Sequence, residues 1–362
     1  MFSLRCISYI YGSSLQDNFQ MKILIAGLGS IGRRHFRNLI ALGEKEIVLL
    51  RSHRATLPEE ELAGYPAETD LHQALEKHKP AAVIIANPTA LHLDIAIPCA
   101  QAGCSILLEK PISDSLDRVD QLESALESGG GRLLVGFQFR FHPTLQKAAQ
   151  LLREGMIGKP LSFHAHWGEY LPNWHPWEDF KHSYAARPDL GGGVILTLSH
   201  PLDYLRMLLG EADSLWAFTG ASNLGLEVED AAEIGLKMKS GAIGSVHLDY
   251  NQQPPSHRWE IVGSNGTMKW ENGSGNLDVF SAPPPGASPQ GTGPKREGDQ
   301  STYQPPAGFE RNGMFLEELK HFLALVQQRA SSPCTLDDGK QALRLALAAQ
   351  QSARKGTLVK LG

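Results

Sequence analysis

Cysteine is scarce in this chain, which bears on its compartment and on metal binding. The 362 residues include four cysteines, none of them in a C-x-x-C pair: Cys6, Cys99, Cys104 and Cys334. Because disulfide frameworks and structural zinc sites need paired cysteines at short spacings, we expect reduced thiols in a cytoplasmic protein. His164 and His166 share one face of a predicted strand without a third ligand nearby, so we expect no metal site.

Charge of one sign and long apolar runs are also lacking. The net charge is −5 and charged residues make up 20% of the chain, with lysine and arginine dispersed along it. This distribution argues against a nucleic-acid partner, and no apolar stretch is long enough to span a bilayer.

The length suffices for two domains, which we place at residues 21–140 and 141–362. Residues 1–20 fit neither domain. We expect a disordered extension there, with a short docking arm as the alternative.

A glycine-rich turn near the start of the chain predicts a phosphate-binding loop. The apolar run 22–26 is typical of a buried strand, Gly-Leu-Gly-Ser-Ile-Gly follows at residues 27–32, and residues 33–40 are typical of a helix. In such a unit the glycines permit a tight turn and the close approach of a pyrophosphate, which the helix N-terminus attracts. The order of these elements predicts a Rossmann domain that binds NAD or NADP.

The residues after the second predicted strand, 47–50, bear on which dinucleotide binds. An NAD enzyme usually has an Asp or Glu there, which holds the 2′-hydroxyl group of the ribose. This chain instead has Arg51, Ser52 and Arg54. Guanidinium groups suit a 2′-phosphate, so we favour NADP. The alternative is a solvated basic loop in a protein that tolerates either cofactor.

A lysine follows a later strand of the same predicted sheet. Residues 105–108 are typical of a buried strand, which delivers Glu109, Lys110 and Pro111 to its carboxyl end. Ligands of open α/β sheets bind beyond those ends, which places Lys110 in the crevice. The spacing alone leaves a functional and an incidental lysine equally open. The candidate cofactor contacts are Gly27, Gly29, Ser30, Ile31, Gly32, Arg51, Ser52, Arg54, Asn87, Pro88, His92 and Glu109.

The second half of the chain carries hairpin signals. Segments 233–238 and 242–250 are joined by a Ser-Gly turn, and 258–263 turns at an Asn-Gly pair into 268–270. Alternating strands joined by such turns predict an antiparallel sheet. The stretch 281–308 is rich in proline, glycine and serine without hydrophobic periodicity, so we expect a mobile surface loop there.

A triple glycine at residues 191–193 precedes an apolar helix with the second candidate for chemistry. Pro201 lies inside this helix, so we expect a kink or a late helix start. Thr197 and His200 fall on one face, and Asp203 lies one turn from His200. A histidine on an apolar helix is more often a core residue than a base. The adjoining glycines let a backbone approach a ligand, which keeps both interpretations open.

Several of these motifs occur together in one known family. The Gly-Leu-Gly-Ser-Ile-Gly turn, Glu-Lys-Pro at 109–111, Arg-Phe-His-Pro at 140–143, the triple glycine with its histidine, and the run 337–352 resemble the Gfo/Idh/MocA oxidoreductases. The resemblance covers about residues 21–362. It implies an α/β fold with an N-terminal Rossmann domain and a C-terminal α/β domain, whose large, mostly antiparallel open sheet usually forms a homo-oligomer. It also implies oxidation or reduction of sugars, cyclitols or nucleotide-activated sugars with NAD or NADP.

The resemblance also implies catalytic roles. Lys110 matches the active-site lysine of the family and His200 its catalytic histidine. Histidine suits removal of the hydroxyl proton at neutral pH, and a cationic lysine would stabilise the developing alkoxide. Many members carry an Asp four residues before the histidine, whereas here the nearest match is Thr197, three residues before it. Threonine supplies no carboxylate, so either Asp203 orients His200 or the proton relay is weaker.

The substrate is indicated less directly. Residues 170–184 are dense in aromatic and hydrogen-bonding groups, and Trp174, His175 and Tyr184 are candidates for contact with a sugar ring, together with Lys110, His200 and Arg140. A packing loop that covers the cleft is an equal alternative. By analogy with similar family members, we expect a nucleotide-activated or acetamido sugar as the substrate. An NAD-dependent cyclitol or aldose dehydrogenase is the alternative, and a ligand-sensing regulator without turnover is a third.

Overall fold

The computed structural model describes residues 21–51, 57, 60–220, 224–282 and 298–362. The predicted extension at 1–20, Ser52, Arg54 and most of the expected loop at 281–308 lie outside these residues. At the far end of that loop, residues 299–303 form a strand, which differs from the expectation. They do so because they pair along their length with residues 277–281.

The first half of the chain builds a six-stranded parallel sheet with the order β3-β2-β1-β4-β5-β6. Its strands are β1 (Ile23–Ala26), β2 (Ile47–Leu50), β3 (Ala67–Glu68), β4 (Ala82–Ile85), β5 (Ser105–Glu109) and β6 (Leu133–Gly136). The helices between them are α1 (Ser30–Ala41), α2 (Leu71–His78), α3 (His92–Gln101) and α4 (Val119–Gly129). The apolar central strands β1, β4 and β5 are buried throughout, as expected for strands covered on both faces. The strand order reverses between β1 and β4, and ligands of such sheets bind beyond that point.

The second half builds a nine-stranded sheet with the order β14-β13-β12-β11-β7-β10-β9-β8-β15. Its strands are β7 (Pro160–Tyr170), β8 (Ala212–Gly220), β9 (Ala231–Met238), β10 (Ile243–Asp249), β11 (Asn251–Gly263), β12 (Gly266–Glu271), β13 (Leu277–Ser281), β14 (Asp299–Tyr303) and β15 (Val359–Lys360). Only β7 and β10 run parallel among the described neighbours, with Ile243 opposite Ser162. The α/β fold with a Rossmann-type sheet and a large, mostly antiparallel sheet is therefore confirmed.

Five further helices accompany the second sheet within the described part of the chain. They are α5 (Pro143–Arg153), α6 (Val194–Thr197), α7 (His200–Leu209), α8 (Arg311–Val326) and α9 (Leu336–Lys355). Alternation along β7 buries Phe163, Ala165 and Trp167 in the core, whereas His164 is exposed on the opposite face. Among the described helices, none is both long and apolar enough to cross a membrane.

The apolar helix expected after the triple glycine is broken in two. α6 ends at Thr197, and α7 begins at His200 with Pro201 in its first turn. Proline is tolerated there because the first turn does not use its missing N–H group. The late start expected from Pro201 is thus what the chain adopts, and Thr197 and His200 do not lie on one continuous helix.

Candidate active site

The glycine-rich turn has the geometry of a phosphate cradle. Gly27 has a φ of +90°, a conformation that side chains disfavour, and a Cβ on Gly32 would collide with the carbonyl oxygen of Gly27. Apart from its two chain neighbours, no described residue has an atom within 4 Å of the place where a Cβ on Gly29 would stand. Gly29 is also the N-cap of α1, and in the described part of the chain no side-chain cap satisfies the N–H groups of its first turn, which begins at Ser30 and Ile31. These residues fit the pyrophosphate of a dinucleotide, which the helix N-terminus would attract.

The carboxylate of Glu68, which pairs with the end of β2, is engaged through one of its oxygens. The backbone N–H of Arg51 donates to the carbonyl oxygen of Glu68 on β3, 2.9 Å away. The Glu68 carboxylate accepts hydrogen bonds from Lys77 at 2.7 Å and from His78 at 2.8 Å. Both contacts are to Oε1, which ties this carboxylate to α2, and the preference for NADP that Arg51 suggests stays a prediction. Ser52 and Arg54 lie outside the described residues.

His92, a predicted cofactor contact, lies between the turns that follow β4 and β5. Its ring is buried, with Nδ1 at 2.9 Å from the carbonyl oxygen of Pro111 and Nε2 at 2.9 Å from that of Asn87. It therefore holds the turn after β4, which contains Pro88, against the turn after β5. Its predicted contact with the cofactor stays a prediction.

Lys110 lies at the junction of the two sheets. Its Nζ donates a hydrogen bond to the carbonyl oxygen of Thr197 at 2.6 Å, which joins the end of β5 to the end of α6. Burial lowers the pKa of Lys110 to about 8, whereas the charges of Glu109 and Glu169 favour its protonated form. A lysine with such a pKa exchanges protons near neutral pH, which an ordinary surface lysine does not.

His200 is surrounded by aromatic rings. Its ring lies edge-on to Phe137 and Phe139, at centroid distances of 5.5 and 5.0 Å, and stacks on Trp167 at 5.5 Å. Burial, together with the positive charge of Lys110, holds the pKa of His200 well below its usual value. Its Nδ1 is buried and has no hydrogen-bond partner among the described residues. His200 is therefore a neutral imidazole without an orienting acceptor.

Arg140 and Asp203, which were expected to contact substrate and to orient His200, bind each other in the structure. Arg140 Nε and Nη2 donate to the two oxygens of Asp203 at 2.9 and 2.6 Å, with side chains only 9% and 2% exposed. Nη1 donates to the carbonyl oxygen of Pro333, and Asp338 lies 3.1 Å from Nη2. Burial, which disfavours the charge, is outweighed by the bonds to Asp203, so the pKa of Arg140 is raised.

The aromatic segment before the triple glycine lies in part beside this site. Trp174 packs edge-on against Tyr250 at 5.6 Å, and its Nε1 is buried without a partner in the described chain. His175 contacts Trp177 at 5.0 Å, and its Nδ1 also lacks a described partner. Burial of its hydroxyl group and the charge of Glu109 raise the pKa of Tyr184 to about 12. The hydroxyl group of Tyr184 is therefore within electrostatic range of Glu109.

Two charged residues near Lys110 were not identified from the sequence. Glu169, at the end of β7, accepts a hydrogen bond from Trp167 Nε1 at 2.8 Å, and its charge favours protonated Lys110. Arg311, the exposed first residue of α8, is near enough to lower the pKa values of both Lys110 and His200. Neither residue lies in a motif, and only the packing of the second sheet and α8 brings them here.

Two family models match this chain. The model described as an oxidoreductase family with an NAD-binding Rossmann fold matches residues 21–137, and the one described as the Gfo/Idh/MocA C-terminal domain matches residues 145–269. Together they span more than half of the chain. The chain therefore belongs to the Gfo/Idh/MocA family of oxidoreductases. The predictions that the chain belongs to this family, is an oxidoreductase and uses an NAD(P) cofactor are confirmed.

Individual relatives cover nearly the whole chain. Myo-inositol 2-dehydrogenase of Thermotoga maritima is 27% identical, over 94% of this chain and 98% of that protein. A levoglucosan dehydrogenase solved with NADH and L-sorbose has a TM-score of 0.80 at 20% identity, covering 94% of this chain and 99% of that one. The WlbA dehydrogenase from Bordetella pertussis, solved with NADH and UDP-GlcNAcA, has a TM-score of 0.75 at 21% identity, with the same coverage. The two structures establish a shared fold.

Proposed function

We propose that this enzyme transfers a hydride between NAD(P) and a carbinol carbon of a sugar or cyclitol. The observation that carries the proposal is the contact of Lys110 Nζ with the carbonyl oxygen of Thr197, at 2.6 Å and three residues before His200. It brings a group with a pKa of about 8 from the cofactor-binding sheet to the second half of the chain. When bound, the nicotinamide ring would accept or give the hydride.

Lys110 is assigned the proton of the reacting hydroxyl group. In the direction of oxidation, neutral Lys110 takes that proton while the carbon loses its hydride, so that a C=O bond replaces the C–OH group. In the direction of reduction, the Lys110 ammonium returns the proton to the oxygen. A pKa near the working pH is the value at which a group does both.

This assignment revises the expectation that His200 is the base. An imidazole whose pKa is held well below its usual value takes up a proton weakly, and no described carboxylate stabilises its charged form. We infer that neutral His200 instead offers a hydrogen bond to a substrate oxygen. Lys110, which contacts the carbonyl oxygen of Thr197 three residues before His200, then performs the transfer.

A polyhydroxylated substrate suits several buried polar atoms of the site residues predicted from the sequence. Trp174 Nε1, His175 Nδ1 and Asn87 Oδ1 are buried without partners among the described residues. Because buried polar atoms are normally hydrogen-bonded, these donors and acceptors favour a ligand with several hydroxyl groups. The inositol-oxidising relative, which aligns over nearly the whole chain, favours a cyclitol or free sugar over a nucleotide-activated acetamido sugar as the first substrate to examine.

A substrate panel tests the proposal. We expect cofactor-dependent absorbance changes with at least one cyclitol, monosaccharide or nucleotide-activated sugar, in assays run in both directions. Binding of the dinucleotide and of a sugar without turnover at any pH would contradict the enzyme mechanism. That result would instead support the ligand-sensing regulator.

Cofactor preference is the next expectation. Because Arg51 directly follows β2, where an NAD enzyme usually has an acidic residue, we propose that NADPH binds more tightly than NADH. In a fluorescence titration of cofactor-stripped protein, Arg51→Gln should weaken NADPH binding by about tenfold, the value of one lost charged contact, and leave NADH within about twofold. Equal losses for both cofactors would contradict contact with a 2′-phosphate.

Glu169 provides a test of the Lys110 assignment through pH. Oxidation needs neutral Lys110, so its rate should rise with pH through a midpoint near 8. Because the charge of Glu169 favours protonated Lys110, Glu169→Gln should lower this midpoint by about half a unit. Glu127→Gln, the same change at an exposed residue of α4, is the control and should leave it unmoved. A midpoint that rises in Glu169→Gln would contradict the assignment.

A further inference from the structure

A buried carboxyl group from α8 lies beside the strand end that carries Lys110. An oxygen of Glu318, an oxygen of Glu109 and a ring nitrogen of His35 all lie within 4.8 Å of one another. Glu318 and His35 are 0% exposed and Glu109 is 8% exposed, so water reaches none of them freely. Gly136 on β6 leaves room for this cluster, since a Cβ there would stand 3.1 Å from Cδ of Glu109.

The hydrogen bonds indicate which of the two carboxyl groups, Glu109 or Glu318, carries a proton. Glu109 accepts a hydrogen bond from His35 Nε2 at 2.8 Å, and the backbone N–H of Lys110 lies 3.4 Å from its other oxygen. Neither oxygen of Glu318 has a donor among the described residues. Two carboxylates this close do not both ionise, and a buried charge without a donor is costly. Glu109 is therefore the ionised member, and Glu318 retains its proton.

The surroundings of Glu318 also favour its protonated form. Burial, together with repulsion from Glu109, raises the pKa of Glu318 well above its usual value. The ionisable groups that face it are His35 from α1, Glu109 from β5 and the thiol of Cys334. Burial also raises the pKa of Cys334, which therefore stays neutral. No cation from the described residues pairs with Glu318.

Glu318 belongs to the face of α8 that packs on α1. Asn312, Phe315 and Glu318 are spaced three residues apart and share that face. Asn312 Nδ2 donates to the side chain of Asn38 at 2.9 Å, and the Phe315 ring lies edge-on to His35 at 6.0 Å. This face therefore joins α8, which belongs to the second half of the chain, to α1 and to the end of β5, both of which flank the predicted cofactor site.

We propose that Glu318 is a positioning residue, a neutral carboxylic acid whose O–H donates to Glu109 and thereby fixes the end of β5 that presents Lys110. The inference rests on the proposed function, because it assigns Glu318 its effect through Lys110. The proton stays between the two carboxyl groups during turnover. Its loss would leave the Glu109 side chain held by His35 without the second donor, and the charge of Glu109 acts directly on Lys110.

Infrared spectroscopy of the full-length protein at neutral pH tests the protonation state without reference to turnover. The difference spectrum between the wild-type protein and Glu318→Gln should contain the C=O stretching band of a protonated carboxylic acid. Glu317→Gln, the same change at the neighbouring exposed residue, should give no such band. Absence of the acid band from the Glu318 difference spectrum would overturn the proposal, as would a divalent cation bound at the cluster in metal analysis.

Kinetics of two variants test the positioning role. Glu318→Gln keeps an N–H donor for Glu109, so turnover should stay within about twofold and the pH midpoint should not move. Glu318→Leu removes the donor at similar volume. Its turnover should fall about tenfold through misplacement of Lys110, and its midpoint should rise by about half a unit as the Glu109 charge is less balanced. Glu317→Leu should change neither quantity.

The outcomes separate this proposal from the proposed function. A purely structural Glu318 would destabilise Glu318→Leu but leave turnover per folded molecule and the midpoint unchanged, and that result overturns the positioning role. If Glu318→Leu does not fold, the infrared band and the unmoved midpoint of Glu318→Gln still decide. Failure of the wild-type protein to oxidise or reduce any sugar or cyclitol would remove the proposed function, while the acid band would still report the shared proton.

Discussion

Lys110→Ala is expected to lower turnover at least about a hundredfold, the range for loss of a proton-transfer group that also stabilises charge on oxygen. The ammonium group of Lys110 joins the end of β5 to the carbonyl oxygen of Thr197, and alanine would leave that oxygen without this hydrogen bond. Because Lys110 lies beyond the glycine-rich turn, the dissociation constant of NADPH or NADH should change by less than about threefold. Steady-state kinetics and fluorescence titration on one preparation give both values.

Lys110→Arg is the matched variant for this prediction. It keeps a positive charge near the reacting oxygen, but a guanidinium group does not release its proton in the accessible pH range. Turnover should therefore stay at least about tenfold below that of the wild-type enzyme, and the rise of oxidation through the midpoint near pH 8 should disappear. Turnover of Lys110→Ala near the wild-type value would remove Lys110 from the reaction.

The elements of the cofactor site were predictable because each is encoded locally. Gly27 and Gly32 lie within one strand–turn–helix unit, and the crowding that excludes a Cβ at Gly32 comes from Gly27 itself. Lys110 follows its strand directly, so the edge of the sheet that carries it was also predictable. The late start of α7 followed from one proline, whose effect on a helix is local.

The partners of the catalytic candidates were not predictable, because they come from distant parts of the chain. Lys110 and Thr197 are 87 residues apart, and Arg140 and Asp203 are 63 residues apart. Helical spacing suggested that Asp203 is a partner of His200. In the structure Asp203 is instead the partner of Arg140, which comes from a distant part of the chain. Glu318 carried no signal at all, since a glutamate on an amphipathic helix is ordinarily exposed and this one becomes buried only by packing on α1.

Asp203→Asn distinguishes the observed ion pair from the role expected from sequence. The change leaves the Arg140 guanidinium, with Asp338 as its remaining charged contact, in a site where both original side chains are buried. Removing one partner of a buried pair typically costs 3–5 kcal/mol, and because Asp338 stays we expect the free energy of unfolding to fall by about 3 kcal/mol. Urea denaturation should therefore show a lower midpoint with an unchanged slope.

Asp94→Asn is the control for this prediction, because Asp94 and Arg118 also form a pair, at 2.6 Å, but with both side chains about half exposed. Its loss should cost less than about 1 kcal/mol. Turnover per folded molecule in Asp203→Asn should stay within about twofold of the wild-type value, because no described hydrogen bond joins Asp203 to His200. If Asp203 instead oriented His200, turnover would fall sharply while stability changed little. The two arrangements thus predict opposite patterns from one variant, and stability and turnover measured together decide between them.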